Sequence, residues 1–198
     1  MTTTTVRFRE GAGRVCLDFI RTLRYRGTPD ATEELPDGVA VAAWVRQCGP
    51  CPLDVASESP DAARARELRE AVHALIVAAV RTGDPAACGD DTRHRVNRAA
   101  AAPVPVPALD ASGRIRWAAD DPVTATLALI ARDALDLVTS AAVTRVRECA
   151  DPRCGALFLD QSRPGTRRWC SMDTCGNRAK KTTLRARRSG SHAAVSEV

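Results

Sequence analysis

The chain has 198 residues, of which 44% are hydrophobic, 27% charged and only 4% aromatic, and its formal net charge is +5. That length suits one domain of ordinary size plus a small module, and the composition is globular rather than that of a disordered or membrane chain. No apolar run reaches the ~18 residues of a membrane-crossing helix, and the first ten residues carry no secretory apolar stretch, so a cytoplasmic protein is expected.

In chain order, Arg14-Val-Cys-Leu-Asp-Phe-Ile-Arg-Thr-Leu23 places apolar side chains at 15, 16, 19, 20 and 23, which is helical spacing. Gly11-Ala-Gly13 before it is only a faint phosphate-loop signal, because no strand precedes it. A loop rich in turn formers follows, and a helix over about 38–48 carries Trp44 and stops at Gly49-Pro50. Residues 61–81 give an amphipathic helix that Asp61 caps, with Ala65, Leu68, Val72, Leu75 and Ala79 as its apolar stripe. Arg64, Arg66, Arg69 and Glu70 read as its solvated face. A shorter helix is expected at about 90–101.

Between 103 and 117 the period changes. Val104 and Val106 lie between prolines, Asp110-Ala-Ser-Gly113 forms a turn, and Ile115 and Trp117 alternate with arginines. This pattern predicts a small hairpin whose prolines tolerate only an edge strand. Asp121-Pro122 then opens a helix with Val123, Leu127, Ile130, Ala134, Leu137 and Ala141 along one face. Residues 1–144 therefore read as a mainly helical domain with one minor hairpin.

The cysteines give the sharpest signal. Cys149, Cys154, Cys170 and Cys175 form C-x4-C, a fifteen-residue spacer and a second C-x4-C. Two short loops joined by such a spacer deliver four thiolates to the corners of one tetrahedral, structural zinc ion. A pair of disulfides is the rival reading, and a reducing compartment disfavours it. The spacer predicts strand, turn and strand, over 156–159, 162–165 and 167–169, followed by a helix from about 172 to 187 that Ser171 caps. The fold class expected for 145–188 is a small α+β zinc finger built of zinc knuckle, β-hairpin and helix, treble-clef-like, with residues 189–198 as a disordered tail.

Charge divides at the same place. Residues 1–144 hold 17 basic and 19 acidic side chains, whereas 145–188 hold 12 basic and 4 acidic. A basic segment of that kind points to a polyanion. Arg163, Arg167 and Arg168 flank the expected turn, and Arg178, Lys180, Lys181, Arg185 and Arg188 load the last helix, where 178, 181, 185 and 188 share one side. Asn177 and Arg178 stand beside the metal, either as base contacts or as supports of the thiolate loops. Trp169 reads as core of the module rather than a stacking platform. The excess of Arg and Ala also suits a GC-rich bacterial genome.

Cys48-Gly-Pro-Cys51 has the spacing of a redox pair but closes a helix instead of opening one, so incidental, thiol-switch and metal readings stay open. Cys16 and Cys88 read as small buried hydrophobes. His73, His94 and His192 are the only histidines, and none pairs visibly with a nucleophile. His73 reads as part of the helix core.

The run from Arg145 through Arg-Arg-Trp-Cys-Ser-Met to Cys175-Gly176-Asn177-Arg178 closely resembles the CGNR-type zinc finger of bacterial proteins. Cys16-Leu-Asp-Phe-Ile-Arg-Thr-Leu23 resembles the opening of its usual companion, the helical ABATE domain of stress-response transcription regulators, with Arg21 where that family more often has Asn. Arg114-Ile-Arg-Trp117 and Asp121-Pro122 fit the same resemblance, and the CGPC at 48–51 stands outside it. The resemblance implies a zinc-containing, DNA-binding regulator without enzymatic activity, whose helical domain senses a small-molecule effector or dimerises. An RNA-binding or adaptor protein, or an enzyme with a site in the helical domain, remains the alternative.

Overall fold

The computed structural model describes residues 7–52 and 60–193, with side chains described through residue 185. Five helices make the N-terminal part: α1 (Val15–Ile20), α2 (Gly38–Cys48), α3 (Ala62–Thr82), α4 (Asp90–Ala100) and α5 (Pro122–Thr139). Three of them start where an aspartate fills orphan backbone donors. Asp37 accepts from Ala40 N–H, Asp61 from Ala63 and Arg64, and Asp121 from Val123 and Thr124. Gly83 ends α3 in the left-handed conformation that a side chain resists, at φ 75°. The α3 stripe buries as the sequence predicts, and α5 buries Leu127, Ile130, Ala134 and Leu137 against it. Val123 is only half-buried, and Ala141 lies exposed in a short 3-10 turn beyond the helix end.

Two features of this half depart from the sequence reading. Residues 23–33 contain a short ladder, β1 (Leu23–Arg24) against β2 (Thr32–Glu33), where only a loop is expected. Two-residue strands have no alternation to read. Arg69 is also not on a solvated face. Its side chain is 3% exposed, its guanidinium forks onto both Glu33 oxygens at 2.6 and 2.7 Å, and its Nε reaches Glu70 at 2.9 Å. A buried guanidinium is tolerable only when paired in this way.

The expected hairpin forms as β3 (Val106–Leu109) and β4 (Ile115–Ala118), with Pro107 opposite Trp117 and Leu109 opposite Ile115. In a two-stranded ladder both strands are edges, which accommodates the prolines.

The zinc-finger region follows a 3-10 turn at Ala141–Arg145. It comprises β5 (Val146–Glu148), β6 (Leu157–Leu159), a turn at Met172–Gly176 and α6 (Asn177–Ala193). Here the expected hairpin is corrected. β6 pairs antiparallel with β5, Val146 opposite Leu159, and residues 167–169 form no strand. The Asp160 carboxylate explains the change. It accepts Ser162 N–H, the Ser162 hydroxyl and Arg167 N–H at 2.6 to 2.9 Å, so a side chain replaces the strand acceptors a hairpin would supply. The helix continues to Ala193, past the residue 187 expected for its end and into the segment 189–198 expected as a disordered tail, and residues 194–198 lie outside the described residues.

The finger does not stand apart. Leu159 N–H donates to the Ala12 carbonyl at 2.7 Å, and Phe158 is fully buried in the same core as Phe19 and Trp44. A Cβ at Gly13 would lie 3.0 Å from Leu159 Cβ, so only glycine permits this approach. Gly11-Ala-Gly13 is thus a seam and not a phosphate loop. Its Ala12 and Gly11 amides are already taken by the Asp18 carboxylate, at 2.8 and 3.3 Å.

Candidate metal centre

Each ligand cysteine is held by local backbone structure. Cys149 follows β5 directly, and its N–H donates to the Ala156 carbonyl at 2.9 Å. Cys154 closes a turn by donating to the Asp151 carbonyl at 2.8 Å, and Gly155 after it needs the left-handed region at φ 58°. Cys170 donates its N–H to Cys149 Sγ at 3.5 Å. Cys175 lies in the turn that Ser171 Oγ caps through Thr174 N–H at 3.4 Å. All four are buried, and their sulfurs lie within 4.8 Å of one another.

The spacing decides between the two readings of the cysteines. Cys154 Sγ lies 3.6 Å from Cys170 Sγ, and Cys170 Sγ lies 3.8 Å from Cys175 Sγ. A tetrahedral zinc with Zn–S bonds of ~2.3 Å requires sulfur–sulfur edges of about 3.8 Å. A disulfide requires ~2.05 Å, and all eight cysteines are free thiols. The residues therefore fit one zinc ion, and four thiolates leave no open position for substrate.

Thiols this close compete for protons. Hydrogen bonds from the Cys154 and Cys170 side chains pull Cys149 far below the ordinary thiol range, and the same crowding pushes Cys170 far up. Burial, then the field of Cys154, pushes Cys175 up to about 12. A divalent cation compensates the charge that four thiolates would otherwise hold in a buried site.

Around the sulfurs, Asp151 is the organiser. It is buried, its Oδ1 accepts Arg153 N–H at 3.1 Å, and its Oδ2 accepts Arg178 at 2.8 Å. Arg178 and Tyr25 also line one shallow surface cleft, so the guanidinium that ties the start of α6 to the first knuckle lies beside the helical part.

Two family models match the chain. The ABATE model, described as "putative stress-induced transcription regulator", matches residues 13–141, and the CGNR zinc-finger model matches residues 145–188. The chain belongs to the ABATE family. Neither matching family is enzymatic, and no curated protein matches the chain.

Within this ABATE protein the sequence-predicted basic residues divide into two groups. Arg178 is committed to Asp151. Arg167 lies over the Phe158 ring at 4.7 Å, with its Nε on the Trp169 carbonyl at 2.9 Å and a terminal nitrogen on the Cys170 carbonyl, so it braces the second knuckle rather than facing solvent. Asn177 is exposed, but its amide donates to the Asp173 carbonyl at 3.2 Å. Arg163, Arg168, Lys180, Lys181 and Arg185 are exposed, and Arg168 lies 5.2 Å over the Trp169 ring. The Arg188 side chain lies outside the described residues. Trp169 packs, half-buried, against the core and the Gly176 turn.

The remaining thiols and the described histidines of this ABATE protein show no second chemical site. Burial, then the field of Glu10, pushes Cys48 up to about 12, and burial raises Cys51, the reverse of a reactive CxxC. Cys16 is fully buried, as expected, whereas Cys88 is only half-buried in the 3-10 turn at Pro85–Cys88. Burial, then Arg26, pushes His73 down to about 4, so it is a neutral, packed imidazole at neutral pH. Among the described residues the four finger cysteines form the only metal-competent cluster, and no helix is long and apolar enough to cross a membrane.

Proposed function

We propose that the chain is a DNA-binding transcription regulator of the bacterial cytoplasm, with residues 1–144 as sensing or dimerising half and 145–188 as DNA-binding half. The observation that carries this reading is the fate of the finger's acidic residues. Of its four, Asp151 and Asp160 are buried and spent on internal hydrogen bonds, so only Glu148 and Asp173 stand exposed among the finger's basic side chains. Lys180, Lys181 and Arg185 are exposed on a helix whose first turn the zinc knuckle anchors. Such a helix, presented end-on from a rigid metal site, has the geometry and charge to contact phosphates along a duplex groove.

The test is a titration of zinc-loaded protein against duplex DNA, single-stranded DNA and RNA at two salt concentrations. Duplex DNA should bind most tightly, and affinity should fall with salt. Preference for RNA would move the finger to an RNA-binding role. Absence of salt-sensitive binding to any of the three would replace the reading with the adaptor alternative.

A further inference from the structure

A cleft of about 80 Å³ opens where α3, α4 and α5 meet. Its floor is apolar: Leu68 and Leu127 are 6% and 8% exposed, and Ala99 and Ala128 leave the space because their side chains stop at Cβ. Two guanidiniums, Arg64 and Arg98, stand on its rim. Arg98 has no hydrogen bond or ion pair among the described residues. Asp121 across the rim already accepts two backbone N–H groups at the start of α5 and forms no ion pair with Arg64. The rim's own acid, Glu67, is neutralised by Arg95 at 2.9 Å. The cleft therefore combines a greasy floor with uncommitted positive charge, the pairing that captures a carboxylate bearing a small hydrocarbon group.

We infer that this cleft binds a small monocarboxylate, its hydrocarbon on Leu68 and Leu127 and its carboxylate between Arg64 and Arg98. At about 80 Å³ the open cleft has roughly half the ~150 Å³ of a cavity that takes a whole benzene ring, so it seats the hydrocarbon end of a small acid such as 3-methylbutanoate or benzoate and leaves the carboxylate at the rim. The ligand would bridge three helices of the one core and so stabilise their packing by mass action. This gives the sensing half of the proposed function a ligand class. Binding is read without DNA, so its failure and the failure of the DNA reading are separate results.

The test uses the full, zinc-loaded chain. Benzoate and 3-methylbutanoate, with benzamide and 3-methylbutanamide as neutral isosteres, are followed by calorimetric titration and thermal melting at millimolar concentrations. Both acids should bind and raise the melting temperature, and the amides should do neither. Arg64→Gln/Arg98→Gln, both exposed positions, should weaken the acids at least about tenfold, the loss of one charge-assisted contact. Ala99→Leu should block them by filling the cleft while melting stays cooperative. Equal binding of acids and amides, no binding of either acid to the folded wild type, or undiminished binding by the arginine variant would overturn the inference.

Discussion

At the scale of single residues, the cysteine ligands were legible because metal chemistry imposes its own spacing on the chain. Cys170 shows what that spacing carries. It contacts both Cys154 and Cys175 and donates to Cys149, so Cys170→Ser should release the metal and unfold residues 145–188. Metal analysis should fall from about one equivalent to none, since zinc ligation contributes on the order of 10 kcal/mol to such modules. Arg178 was less legible. Its partner Asp151 lies 27 positions away, and a basic helix residue beside CGN reads equally as a DNA contact. If it is a support, Arg178→Gln and Asp151→Asn should each cost about 1–2 kcal/mol, and the double variant should cost clearly less than their sum. Additive losses in urea unfolding would show the contact to be incidental. His73 makes a pH-dependent statement. An ordinary imidazole titrates near 6.5, and in the fold His73 is pushed down to about 4. Between those values the unfolded chain takes up the proton and the folded chain does not. Its stability contribution is therefore full above 6.5 and is lost as pH falls toward 4, by about 2 kcal/mol after allowance for partial exposure. His73→Gln should flatten that part of the stability profile, and an unchanged slope would contradict the assignment.

At the scale of elements, the helices were legible because each signal is local. Asp37, Asp61 and Asp121 mark starts, Gly83 marks an end, and the α3 and α5 stripes repeat with the helical period. What stayed hidden is non-local. The β1–β2 ladder is too short to show alternation, and Arg69 finds Glu33 across 36 positions. In the finger, residues 156–159 and 167–169 have strand-like composition at hairpin distance. Nothing local says that β5 takes the first and that Asp160 ties the second into a loop. Gly13 is the element-scale test of how the finger is seated. It combines a φ of 94° with 3.0 Å of room before Leu159 Cβ, so Gly13→Val meets both backbone strain and a clash. A loss of about 1–3 kcal/mol is expected, with hydrogen exchange rising at β6. Unchanged stability would mean that the seam is not a packed contact.

At the scale of the whole molecule, the family models divide the chain between residues 141 and 145, while the core runs across that division. Phe158, Leu157 and Leu159 share one apolar cluster with Phe19, Trp44 and Leu137, and β6 receives a hydrogen bond partner from Ala12. The zinc should therefore hold more than the finger. Chelation should lower the melting temperature of the helices as well, seen in the helical circular dichroism signal. Melting of the helices unaffected by chelator would show two independent bodies. The same continuity joins the core beneath α3 and α5 to the cysteine knuckles from which α6 starts. The most direct measurement concerns that helix. Zinc-loaded wild type and Lys181→Ala/Arg185→Ala are titrated against duplex DNA across a range of salt. The variant should bind more weakly to every sequence, and its salt slope should fall by roughly one unit per lost phosphate contact. Identical affinities and identical slopes for the two proteins would contradict a DNA-binding role for α6.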